Sequence, residues 1–134
     1  MIILSNTIAQ TLNPGQSATF DTIILHKGCS ECFRKGSGAV TLRKQGATYE
    51  VVFSGNIGAV APGAAQLNVS LNGSPLPETL MISTTAAAGD LNNVAKRTAV
   101  DTCCCGCETC TVVNTGDTPL TLGANPLLYI KRVA

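Results

Sequence analysis

Apolar and polar residues alternate with a period of two through most of this chain. Tyr49, Val51 and Phe53 fall on one side, and Glu50, Val52 and Ser54 on the other. Leu67, Val69 and Leu71 alternate with Asn68, Ser70 and Asn72, and near the end Leu128, Ile130 and Arg132 alternate with Leu127, Tyr129, Lys131 and Val133. Such short runs predict strands with one buried face. Turn signals separate them: Asn13-Pro14-Gly15, Gly36-Ser37-Gly38, Pro62-Gly63, Asn72-Gly73, Gly89-Asp90, Asn114-Thr115-Gly116-Asp117 and Asn125-Pro126. The expected strands cover residues 3–11, 17–25, 39–44, 48–57, 65–72, 79–86, 94–103, 109–114 and 119–132, the last interrupted at Asn125-Pro126. Helix is nearly absent, because Ala86-Ala87-Ala88 meets Gly89 at once. Many short strands at this spacing predict an all-β sandwich or jelly roll.

The 134 residues suffice for one domain, expected over 1–134, with a single core. Charged residues make up only 13%, about half the usual ~25%. Net charge is +1, which argues against a strong electrostatic pull on nucleic acid or an anionic membrane. The basic pairs Arg34-Lys35, Arg43-Lys44, Lys96-Arg97 and Lys131-Arg132 are scattered rather than gathered in a stripe. With mean hydropathy at +0.26, so few charges coat a monomer poorly, and burial of surface against copies of the same chain is expected. Two sets of aliphatic and aromatic residues are candidates for that contact: Tyr49, Val51 and Phe53, or Leu128 and Ile130, whichever is not core. No apolar run reaches the ~18–20 residues of a membrane helix. Met1-Ile2-Ile3-Leu4-Ser5-Asn6 lacks the basic flank and long apolar stretch of a secretory signal, so none is expected.

From Tyr49 onward the order of motifs is specific. Tyr49-Glu50-Val51-Val52-Phe53 precedes Gly55-Asn56-Ile57. Leu67-Asn68-Val69-Ser70-Leu71-Asn72-Gly73-Ser74-Pro75-Leu76-Pro77 follows. The close is Val112-Val113-Asn114-Thr115-Gly116 and Leu128-Tyr129-Ile130-Lys131-Arg132-Val133-Ala134. This set resembles the globular C-terminal domains of Bacillus collagen-like exosporium glycoproteins. More broadly it resembles the jelly roll of complement globular heads and tumour necrosis factor. It is most similar to short Cys-rich proteins of Firmicutes and their prophages. The resemblance spans roughly residues 13–134. It implies a compact homotrimer for display, capping or adhesion, without catalysis, alongside other coat or virion proteins or against a glycan or host-surface receptor. No Gly-X-Y stalk is present, which favours a free-standing coat, appendage or virion component over an exosporium tip.

The chemistry sits in seven cysteines. Five fall in Cys103-Cys104-Cys105-Gly106-Cys107-Glu108-Thr109-Cys110, and two in Cys29-Ser30-Glu31-Cys32. One reading is disulfides or intersubunit cross-links drawn from Cys29, Cys32, Cys103, Cys104, Cys105, Cys107 and Cys110. Seven is odd, so at least one thiol stays free or pairs with another chain. A second is a tetrathiolate zinc site from Cys29, Cys32, Cys104 and Cys107, with Cys107-x-x-Cys110 as an overlapping pair. A third is a redox or nucleophilic enzyme. It wants a low-pKa thiol at a helix N-terminus, and no helix is expected; His26 lies near Cys29 without a third orienting group, so an ordinary surface histidine is the better reading. The plainest is small apolar thiols filling a tight hairpin.

The two cysteine segments are expected at one end of the jelly roll, with Gly106 turning a hairpin whose arms are 94–103 and 109–114. Asn68-Val69-Ser70 and Asn72-Gly73-Ser74 match glycosylation sequons by chance. The carboxylates are dispersed, with no pair at an acid–base spacing and no Asp-rich calcium loop. No catalytic residue and no cofactor is expected, zinc being the alternative.

Overall fold

The computed structural model describes residues 1–134 except Pro62, Ala86, Ala88 and residues 103–107. Its strands in chain order are β1 (Ile2–Ser5), β2 (Gln10–Leu12), β3 (Thr22–His26), β4 (Glu31–Phe33), β5 (Val40–Leu42), β6 (Thr48–Ala59), β7 (Gly63–Leu71), β8 (Ser74–Pro75), β9 (Met81–Thr85), β10 (Asn92–Asp101), β11 (Glu108–Asn114), β12 (Leu120–Leu122) and β13 (Leu127–Arg132). A single 3-10 turn, Pro77–Thr79, is the sole helical element among the described residues. One sheet runs β2-β12-β6-β13-β1-β3, with β10 also on β6. The other runs β4-β5-β11-β7-β8, with β9 also on β7. Every strand pair is antiparallel. The expected jelly roll is the fold.

β6 organises the first sheet. Its twelve residues carry a strict alternation over Thr48–Gly55. Its early half pairs β13 and its late half pairs β12, while β10 follows it along Thr48–Ile57. Gly58 is required here by close approach: a Cβ would lie 1.9 Å from the Asp90 carbonyl oxygen. Asn72 and Gly73 both take positive φ, 52° and 83°, and join β7 to β8 in the tight hairpin their sequence predicts.

Three expectations change. Segment 3–11 is two strands, because Asn6 is buried and ties the intervening chain down: its Nδ2 donates to the Ile8 carbonyl at 2.8 Å, and its Oδ1 accepts from Asp21 N at 3.1 Å. Segment 17–25 crosses between sheets. Ala18 N donates to Val112 O on β11, whereas β3 pairs β1, and Phe20 is fully buried at the crossing. Residues 94–103 and 109–114 are not arms of one hairpin. β10 lies on β6 in the first sheet and β11 lies between β5 and β7 in the second.

The inner faces of both sheets form one core, including Ile2, Leu4, Ile57, Leu120 and Leu122 from the first and Val40, Leu42, Leu67, Val69 and Val112 from the second. Both sets of candidate contact residues lie in it. Tyr49, Phe53, Leu128 and Ile130 have no exposed surface and Val51 has 1%, so none can touch a partner. The period-two pattern identified the buried face correctly and could not say which apolar side chains are left outside the core. The opposite face of the first sheet is available. There Leu25, Ile3, Tyr129 and Val52 stand in one cross-strand row through the β3-β1-β13-β6 pairings, each half-buried, ending at Arg97 on β10.

Candidate functional site at the cysteine-bearing end

β4, β5 and β11 lie side by side, and their register decides what each cysteine can do. Glu31, Leu42 and Glu108 form one row; Cys32, Thr41 and Thr109 the next; Phe33, Val40 and Cys110 the third. Side chains in successive rows point to opposite faces. The first and third rows face the core, so Cys110 sits beside Val40 and Leu71 with no exposed surface. Burial removes water from its thiolate and pushes the thiol from 9.0 up to about 12. Cys110 is therefore a small core residue and is corrected from the cross-linking set. Cys32 faces outward and Cys29 precedes it in an exposed loop; both are free thiols. Cys29 borders a shallow cleft with Ser30, Arg43 and Lys44, so two cations flank it.

The loop carrying Cys29 fastens to the 43–47 turn, and so does Thr102, which precedes residues 103–107. Arg43 N donates to Ser30 O at 2.8 Å. The buried Tyr49 hydroxyl donates to Ser30 O at 2.9 Å and accepts from Lys44 N at 3.3 Å. On the other side, the buried Thr102 hydroxyl accepts from Ala47 N at 2.9 Å and donates to Lys44 O at 2.6 Å. Glu108 opens β11 two strands from Glu31. Cys103, Cys104, Cys105 and Cys107 lie outside the described residues, as do two of the four zinc candidates, Cys104 and Cys107. Among the described residues no three His, Cys, Asp or Glu side chains gather as metal ligands.

Glu31 is the feature of this end that sequence reasoning missed. Its carboxylate is fully buried, and its Oε2 pairs with the Met1 ammonium at 2.8 Å. The ammonium also donates to Lys27 O at 2.7 Å. Its Oε1 is buried without a hydrogen-bond partner among the described residues. No pattern marks Glu31 in the sequence, because its burial follows from β4, a three-residue strand hidden between Gly28 and Gly36. His26 Nε2 donates to the Glu31 carbonyl at 3.0 Å, which fixes its hydrogen on that nitrogen and ties edge strand β3 to edge strand β4. The histidine is thus engaged with backbone, not with a cysteine.

No family model matches this chain, and no curated protein matches it either. Solved structures do. Eiger TNF from S. frugiperda superposes with a TM-score of 0.68 at 10% identity, over 99% of this chain and 91% of that one. The globular domain of zebrafish complement 1qA gives 0.59 at 8% identity, over 96% and 94%. PRD1 vertex protein P5 gives 0.52 at 10% identity, over 99% and 97%. The fold is thus the jelly roll shared by tumour necrosis factor and complement globular heads, as the sequence motifs implied. No helix of the described residues is long and apolar enough to cross a membrane.

Proposed function

We propose that this chain is a non-enzymatic structural or adhesive homotrimer displayed on a particle surface, whether virion, spore or cell, with its cysteine-rich loops serving for cross-linking. One observation carries the reading: the outward face of the first sheet presents the half-buried row Leu25, Ile3, Tyr129 and Val52 on a chain with few charges. A sheet face of that composition gains by meeting another copy. Exposed Cys29 and Cys32 are the described thiols free to join a neighbouring subunit, or another coat or virion protein, under oxidising conditions. The similarity to a vertex protein supports a particle setting. Val52→Lys tests the reading: a cation placed in the row should convert the assembly to monomers in light scattering, without loss of β-structure.

A second reading is a zinc- or redox-responsive Cys-x-x-Cys module acting in the cytoplasm. The exposure of both Cys29 and Cys32, beside the turn that also anchors Thr102, favours it. Metal analysis decides: zinc bound at one equivalent per chain and lost in Cys29→Ser/Cys32→Ser supports this module, and metal-free protein removes it.

A further inference from the structure

A groove of about 850 Å³ crosses the outward face of the second sheet, on the opposite side of the molecule's core from the apolar row. Its floor is the outward face of β11, with Thr109, Thr111 and Val113 in succession. Ser17 bridges Val113 on one side. The Asn72–Pro75 hairpin stands on the other, held by Thr109 N donating to Asn72 Oδ1 at 2.8 Å. From Thr109 to Thr115 the floor extends about 20 Å at strand rise.

We propose that this groove binds a neutral oligosaccharide. None of its lining residues is charged, so it offers nothing to a sulfated, sialylated or phosphorylated ligand. The hydroxyls of Ser17, Thr109 and Thr111 make no hydrogen bond to other described residues. They form a file of open donors and acceptors of the kind that sugar hydroxyls satisfy. Val113 and Pro75 supply apolar patches for the C–H faces of the rings. Gly15, Gly73 and Gly116 at the margins leave room for close approach. The lining has no aromatic platform, so each site is weak, and useful adhesion comes from several copies engaging one surface. The inference thus deepens the adhesive reading and rests on it for its biological use, though not for its geometry.

The test is saturation-transfer NMR with the full chain against uncharged oligomers of glucose, N-acetylglucosamine, galactose and mannose, with sialyllactose and a heparin fragment as charged controls. The expected result is transfer to at least one neutral oligomer, weakened about fivefold in Thr111→Val, abolished in Thr111→Arg and retained in Thr111→Ser. Sedimentation of each variant should match the parent. Transfer to none of the neutral oligomers, transfer only to the charged controls, or transfer unchanged in Thr111→Arg would each overturn the proposal. A trimer that ignores every sugar removes the groove and leaves the assembly standing. A sugar-binding monomer does the reverse.

Discussion

Cys110 stands directly opposite Val40 across the β11–β5 ladder, while Cys32, one row away on β4, stands opposite Thr41 on the outer face. That one-row difference separates a core thiol from a solvent-accessible one. In native protein, iodoacetamide should modify Cys29 and Cys32 and leave Cys110 unmodified until the fold opens. Peptide mass mapping reads the result, and rapid native labelling of Cys110 would contradict the register.

The same burial sets a pH dependence. The folded thiol of Cys110 titrates near 12 against an ordinary value of 9.0, so above pH 9 the unfolded chain releases a proton that the folded chain retains. Stability therefore falls as pH rises from about 9 to 12, at about 1.4 kcal/mol per unit from this group. Denaturant midpoints for the parent and Cys110→Ala should converge as pH rises through 9 to 11. Parallel curves would refute the assignment.

Thr102→Val should destabilise the chain by about 2 kcal/mol, because it strands the buried Ala47 N–H and removes the bond to Lys44 O. Urea unfolding measures the loss. A variant as stable as the parent would show that the 43–47 turn is not fastened through this hydroxyl.

Gly58→Ala and Gly46→Ala form a matched pair. At Gly58 the new methyl meets the Asp90 carbonyl, so the 89–91 segment must shift at a cost of about 1–3 kcal/mol. At Gly46 nothing lies within 4 Å, and the cost is only that of a φ of 63°, about 1 kcal/mol. Thermal melts should rank Gly58→Ala below Gly46→Ala.

Local chemistry was legible in the sequence, and pairing across the chain was not. The alternation around Tyr49–Phe53 and Leu128–Ile130 marked strands and a buried face, and Asn72-Gly73 marked its hairpin, since each depends on a few adjacent residues. The assignment of β10 and β11 to different sheets depends on partners up to 70 residues away. Short β4 carries too few residues to show a period. The fate of Cys110 needed the register against Val40. The groove over Thr109, Thr111 and Val113 joins three segments distant in sequence, and β-branched residues on a strand read first as strand propensity.

The central claim is that the chain assembles through the outward face of its first sheet, and sedimentation equilibrium of the unmodified protein at micromolar concentration tests it most directly. The account predicts a single species of about 41 kDa, three times the 13.8 kDa chain. A species of 13.8 kDa across the concentration range would contradict it.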